Sequence, residues 1–496
     1  TQRPHLRIVL SILFLLGIAV FTQIESSSAT TNRLLIVRLE TVEPEVLQDL
    51  STREILVLAQ FTRSDGRSVL FALINPQDLA YPLNDDVQLK VVEAYNPDEP
   101  YYLVFPPKYG NYPELDSDVA VLDQSDEVVL MRAPFEKAEA LPTLGYRIRR
   151  LYPHPLVLGD TELSSLSQVT APDPEIEHLI DQVSQDGIYT HIGDLTGERE
   201  VMVNGKPYTI LTRYTRTDIP IKKATRYAFE YFNQLGLKTY YFHYNLPVEM
   251  GTVEKRNVIA EQTGLLLPDG IVLLIGHLDS TSYNPYIYAP GADDNASGSA
   301  GVMQVAEVLS HNSFDYTIRY VLFTGEEQGL YGSQAYAQYL AEQGENLVAV
   351  IDLDMIGYNS DQDPVLEFHI RKGNSGDSVI ANLLSDVIAV YKLDLIPQIV
   401  KDGLSYSDHA PFWNRGYAAV LSVEDLDDSN PNYHTTGDRL SNINLTYNTE
   451  IIKAAVAAVA HIAQPLRPFS AYIPLTLMDV QASASPQVPP PAQTLP

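Results

Sequence analysis

Five short segments in the second half of the chain carry histidine and acids next to apolar runs. They are His277 and Asp279 in Gly276-His-Leu-Asp-Ser280, Asp293 and Asp294 in Gly291-Ala-Asp-Asp-Asn-Ala-Ser-Gly298, Glu326 and Glu327 in Thr324-Gly-Glu-Glu-Gln-Gly329, Asp352 and Asp354 in Asp352-Leu-Asp-Met-Ile-Gly357, and His434 in Asn432-Tyr-His-Thr-Thr-Gly-Asp438. Each has a plain explanation when taken alone. A histidine at a strand end is usually a satisfied structural residue. Asp and Asn before a helix are good N-caps. Strand alternation puts Asp352 and Asp354 on one face, where one of them needs only to be exposed. Together, however, the segments supply only His, Asp and Glu. Adjacent glutamates at a buried strand end are costly unless something cationic meets them. Two divalent ions sharing a carboxylate need this set: about three protein ligands per ion, and a free carboxylate as base. Asp279 is spaced to orient His277, because a ligand imidazole usually donates its other N–H to a carboxylate or carbonyl.

The elements that must position these residues can be read from the apolar pattern. Val258–Glu261, Gly270–Ile275, Tyr320–Phe323, Leu347–Ile351 and Ala418–Ser422 read as buried strands. Ile221–Leu237, Ser297–Leu309, Ser333–Glu342, Ser378–Tyr391 and Tyr447–Ala463 read as helices. Strands alternating with helices predict an α/β fold with a largely parallel sheet between helices. In such sheets ligands bind outside the carboxyl ends of the strands, which is where the five segments fall.

In order and spacing these motifs resemble the M28 family of zinc peptidases, the co-catalytic aminopeptidases, over about residues 172–465. The resemblance implies a mixed, largely parallel sheet sandwiched between helices. It implies two Zn2+ per chain, with His277 and Asp354 on one ion, Glu327 and His434 on the other, and Asp294 bridging them. Glu326 would be the general base, taking a proton from the attacking water and giving it to the leaving amine. Tyr433 would help stabilise an oxyanion, and Asp279 would stand behind His277. A cis peptide is expected between Asp294 and Asn295. Ser407-Asp408-His409 is expected to be architectural rather than ligating. The implied reaction is hydrolysis of N-terminal peptide bonds, with peptide or protein N-termini as partners. The same broad fold hosts glutaminyl cyclases with a single zinc, carboxypeptidases with a basic pocket for the terminal carboxylate, and non-catalytic surface or structural proteins that typically lose ligands or base. The complete ligand set favours the dinuclear hydrolase.

The remainder of the chain is organised around this region. Arg3 and Arg7 precede the apolar run Ile8–Phe21, which is short for a membrane span of roughly 20 residues and has the flanks of a signal-peptide core. Residues 1–30 therefore read as a signal peptide or anchor, with a secreted or extracytoplasmic location and no other membrane contact expected. Residues 31–150 carry short β-type runs separated by turns such as Asn96-Pro-Asp-Glu-Pro100. They predict a smaller β-rich N-terminal domain without a cluster of catalytic residue types, packed near the site as a prodomain would be. Residues 151–171 read as a linker and 466–496 as a Pro/Ser-rich tail. The 63 acids against 33 bases give a net charge of −30, which argues against nucleic-acid binding. The chain contains no cysteine, so disulfides, thiol nucleophiles and cysteine-ligated metals are excluded.

Overall fold

The computed structural model describes residues 33–466 apart from 42–49, 53–54, 64–65, 81–86, 106–118, 126–127, 157–165, 167 and 250. The expected signal or anchor segment, and all but the first residue of the expected tail, lie outside the described residues. Among the described residues no helix is long and apolar enough to cross a membrane.

The larger body is built on an eight-stranded mixed sheet. Its centre is four mutually parallel strands in the order Tyr316–Phe323, Leu267–His277, Asn346–Leu353 and Ala419–Glu424. One edge is the antiparallel hairpin Lys238–Val248 and Gly251–Gln262. The other edge is Val365–His369, antiparallel to Ala419–Glu424, followed by Ile396–Val400. The run Ile271–Ile275 shows why this sheet is sandwiched. Val272 and Leu274 pack into the cluster formed with helices Ile219–Gln234, Gly298–Leu309, Ser375–Tyr391 and Leu445–Ala463. Ile271, Leu273 and Ile275 pack on the other face against Tyr336, Leu340 and Phe412. Both faces are dry, so the central strands read as continuous apolar runs rather than alternating ones.

The N-terminal body consists of two antiparallel sheets, one of five strands and one of four. Two of its strands, Tyr101–Phe105 and Arg147–Leu151, were not apparent in the sequence. Two residues expected in the linker, His154 and Pro155, pair instead with Val57 and Leu56, so the body runs a few residues past 150. The N-terminal body packs directly on the larger one. Ile36, Phe61 and Phe71 from one sheet and Leu103, Leu130 and Leu151 from the other share a single apolar cluster with Met355, Tyr406, Leu421 and Val423 of the larger body. The two bodies have a common core at this junction, which lies directly beside the five segments.

Candidate metal centre

The parallel strands end side by side, with His277 paired to Phe323 in register and Leu353 to Ser422. His277, Glu326, Glu327 and Asp354 are therefore carried to one place by adjacent strand ends. His277 Nε2 lies 3.1 Å from Asp294 Oδ1 and 3.2 Å from Asp354 Oδ1. His434 Nε2 lies 3.0 Å from Asp294 Oδ2 and 3.0 Å from Glu327 Oε2. Two buried groups result, His277–Asp294–Asp354 and Asp294–Glu327–His434, each with its ligand atoms within 4.8 Å of one another. They share Asp294, one oxygen facing each histidine.

Local structure explains why Asp294 is the shared acid. Gly291 is left-handed at φ 50°, and a Cβ there would sit 2.2 Å from the Asp294 carbonyl oxygen. The Asp294–Asn295 peptide is cis. Asp293 turns the opposite way, accepting from Asn430 Nδ2 at 3.0 Å and from the Gly357 N–H at 3.0 Å. Asp438 accepts from the Asp293 and Asp294 N–H groups. The N-terminus of the following helix is capped by Asn295, whose Oδ1 accepts from the Gly298 N–H at 2.9 Å. Neither aspartate is needed as a cap. Asp352 is not exposed either. It is fully buried, accepting from Ser407 Oγ and the His409 N–H, which makes it a foundation under the site. His434 and Met355, next to Asp354, adopt left-handed φ values of 55° and 52°. Such conformations cost about 1–3 kcal/mol and persist where the surroundings enforce them.

Glu326 belongs to neither group. Its Oε2 stands 4.0 Å from His277 Nε2, and no donor among the described residues is hydrogen-bonded to its carboxylate. Its N–H donates to Asp279 Oδ1 at 3.4 Å. Asp279 is fully buried and also accepts from Thr215 Oγ1. Its carboxylate is 3.8 Å from His277 Nδ1, while its backbone carbonyl is closer, at 3.1 Å. His277 is thus oriented chiefly by the main chain of Asp279. The Tyr433 ring stacks on His434, 3.7 Å between centroids.

The electrostatics call for a cation. Both histidines commit Nδ1–H to backbone carbonyls, Asp279 and Pro142, so both Nε2 atoms face carboxylate oxygens, a contact that needs a proton or a metal ion between them. Glu326 is pushed well above the usual carboxylate range by burial and by the charges of Glu327 and Asp354. Glu327 is pushed up to about 7 by burial and the Asp294 charge. Burial opposes a charged His434, but Glu327 and Asp294 raise it to about 10. Burial would raise Asp294 too, yet the two imidazoles hold it well below the usual range. Glu327 Oε1 is buried and has no hydrogen-bond partner among the described residues. The donor set of imidazole and carboxylate, with this orphaned oxygen and the lone pairs aimed inward, suits divalent zinc.

Residues 257–459 match peptidase family M28. A probable zinc metalloprotease of Pyrenophora tritici-repentis is 29% identical over 47% of this chain. Leucine aminopeptidase 1 of Trichophyton rubrum is 30% identical over 47% of the chain. The chain spans about three-fifths of the length of each of these relatives, 62% in both cases. The LapA aminopeptidase of Legionella pneumophila superposes with a TM-score of 0.55 at 21% identity, over 74% of this chain and 99% of that one. The glutaminyl cyclase of Macrostomum lignano superposes at 0.50 and 17% identity, over 63% of this chain and 100% of that one. The fold of this chain is therefore shared with an aminopeptidase and with a glutaminyl cyclase.

Three contributors to the metal centre were not apparent in the sequence. Pro142, in the N-terminal body, supplies the carbonyl that accepts from His434. Arg147, from the same body, donates from Nε to the Tyr433 hydroxyl at 3.2 Å and lies over the Tyr406 ring at 4.1 Å. Arg213 is fully buried and donates to the carbonyls of Leu195, Leu278, Pro290 and Gly291, bracing the loop that leads to Asp294. No local pattern marks these residues, because all of these contacts are distant in sequence.

Proposed function

We propose that this protein is a zinc aminopeptidase that removes residues from the N-termini of peptides or proteins. The observation that carries this reading is the pair of buried ligand groups sharing Asp294, with Glu326 beside them and bound to neither. In this reading His277, Asp294 and Asp354 hold one zinc, and Asp294, Glu327 and His434 hold a second. Bound zinc would supply Lewis acidity, polarising the scissile carbonyl and acidifying the attacking water. The chain's own residues do the rest. Glu326, half-buried and with its pKa raised, takes the proton of the attacking water and delivers it to the leaving amine. The Asp279 carbonyl and the Pro142 carbonyl keep His277 and His434 in the tautomer that directs Nε2 inward. Tyr433, held by Arg147, offers a hydroxyl for the developing oxyanion. The acidic surroundings favour a substrate ammonium group. The signal-like run Ile8–Phe21 supports an extracytoplasmic setting.

One observation favours a second reading. Arg147 brings a cation beside the site, as a carboxypeptidase requires for a terminal carboxylate. Its guanidinium is already engaged by Tyr433 and Tyr406, so the aminopeptidase reading is preferred. A panel of amino-acid arylamides and N-blocked peptides, run with and without chelator, separates them. Chelator-sensitive release from the arylamides is expected. Glu326→Gln should retain its metal and lose about 10²–10⁴-fold in rate. Cleavage of N-blocked peptides alone would replace this reading with the carboxypeptidase. Cyclisation of N-terminal glutamine without hydrolysis would replace it with the cyclase.

A further inference from the structure

Away from the metal centre, the junction of the two bodies encloses a cavity of about 40 Å³ lined by Arg149, His154, Ser405, Arg371 and Lys372, among others. Among the described residues no Asp or Glu lines it. Arg149 lies on the strand face that also presents Arg147 and Leu151 to the larger body. It is 2% exposed, and among the described residues its guanidinium makes no hydrogen bond or ion pair. Burial, unrelieved by any carboxylate, pushes its pKa down to about 10. The other two cations are committed, Arg371 to Asp377 and Lys372 to the Gly66 carbonyl. Two further buried atoms of the lining are without a partner among the described residues, His154 Nε2 and Ser405 Oγ.

An unpaired buried charge costs several kcal/mol, and folded proteins pair or neutralise such charges. Here the lining has an excess of positive charge, and among the described residues no carboxylate opposes it. We propose that this cavity is a binding site for a small inorganic anion, held by the Arg149 guanidinium and the Ser405 hydroxyl; His154, whose Nδ1–H donates to the Pro155 carbonyl, leaves an acceptor at Nε2 and is not among the anion's ligands. A water needs roughly 10–15 Å³ of such space, so there is room for about three or four water-sized atoms. That admits chloride or a compact oxyanion and excludes an organic ligand. Arg149 and His154 come from the N-terminal body, and Ser405, Arg371 and Lys372 from the larger one. A bound anion therefore ties the two together.

The full-length protein's melting temperature should be followed at constant ionic strength while gluconate is replaced by chloride, or separately by phosphate or sulfate. The site predicts a saturable rise with at least one of these, because a ligand that binds only the folded state stabilises it by mass action. The arm that saturates at the lowest concentration identifies the anion. Arg149→Met should abolish the saturable part, and Ser405→Ala, the milder change, should weaken apparent affinity at least tenfold. Bromide soaked into crystals should give an anomalous peak against the Arg149 guanidinium. Absence of a saturable response to all three anions in the wild type would overturn the proposal, as the cavity would then hold water alone. So would a response unchanged in Ser405→Ala and in any Arg149→Met protein that folds.

Discussion

Replacing Arg213 by methionine removes a charge that the fold has placed entirely out of water. The guanidinium donates to four main-chain carbonyls, at 2.6 Å to Leu278, Leu195 and Pro290 and 2.9 Å to Gly291. Buried acceptors left without a donor cost about 1–3 kcal/mol each, so the four together set an upper bound of roughly 4–12 kcal/mol. Methionine also escapes the desolvation penalty of a buried cation, several kcal/mol, which leaves a net loss of roughly 3–5 kcal/mol. That is a large part of the roughly 5–15 kcal/mol by which native domains are stable. Because two of these carbonyls, those of Pro290 and Gly291, lead into the turn at Asp294, metal affinity should fall together with stability. Arg213→Lys should recover little, since an ammonium has three donors at one point in place of a planar fork. Urea denaturation and metal content of the purified variants measure both effects. Arg213→Met within about 1 kcal/mol of wild type, with full metal content, would refute the claim that this arginine braces the site.

Two further perturbations follow from the junction and the far edge of the sheet. Deleting the chain up to residue 165 would bare Met355, Tyr406, Leu421 and Val423; at about 1.5–3 kcal/mol per buried side chain the truncated protein should be unfolded or insoluble, and a soluble product melting at the full-length temperature would contradict the shared core. His369 lies between Asp402 and Glu367, each at 2.9 Å; burial opposes its charge, but the two carboxylates outweigh it and raise its pKa to about 9. Such stabilisation is fully present below the unfolded-state value of about 6.5 and is lost as pH rises through about 9, roughly 3 kcal/mol in all. His369→Gln should flatten that loss, as chemical denaturation at several pH values would reveal; an unchanged slope would exclude His369 as its source.

His277, the glutamate pair and Asp354 were legible because each lies within a few positions of a buried apolar strand, whereas Asp294 and His434 sit farther on, outside the strands, and were legible only through the order and spacing of the motifs. The strand Leu267–His277 runs into His277, Tyr316–Phe323 into the glutamate pair, and Asn346–Leu353 into Asp354. What was not legible depends on distant pairing. Arg147-Ile-Arg-Arg-Leu151 has too much charge to read as a strand, yet Arg149 is buried at the junction and Arg147 reaches Tyr433. Tyr101–Phe105 is buried throughout, so it lacks the alternation that would set it apart. The hairpin Lys238–Val248 is partly exposed along both faces, which erases the period of a half-buried strand. Asp352 looked as free to be exposed as Asp354, because its partners Ser407 and His409 are 55 and 57 residues away.

The central claim is that Asp294 serves two ions at once. Anomalous diffraction at the zinc edge, from crystals of the full chain grown with zinc, tests it most directly. The account predicts two peaks about 3.5–4 Å apart, one against His277 and Asp354 and the other against Glu327 and His434, with an Asp294 oxygen about 2.0–2.2 Å from each. A single peak, or two peaks of which only one touches Asp294, would contradict it.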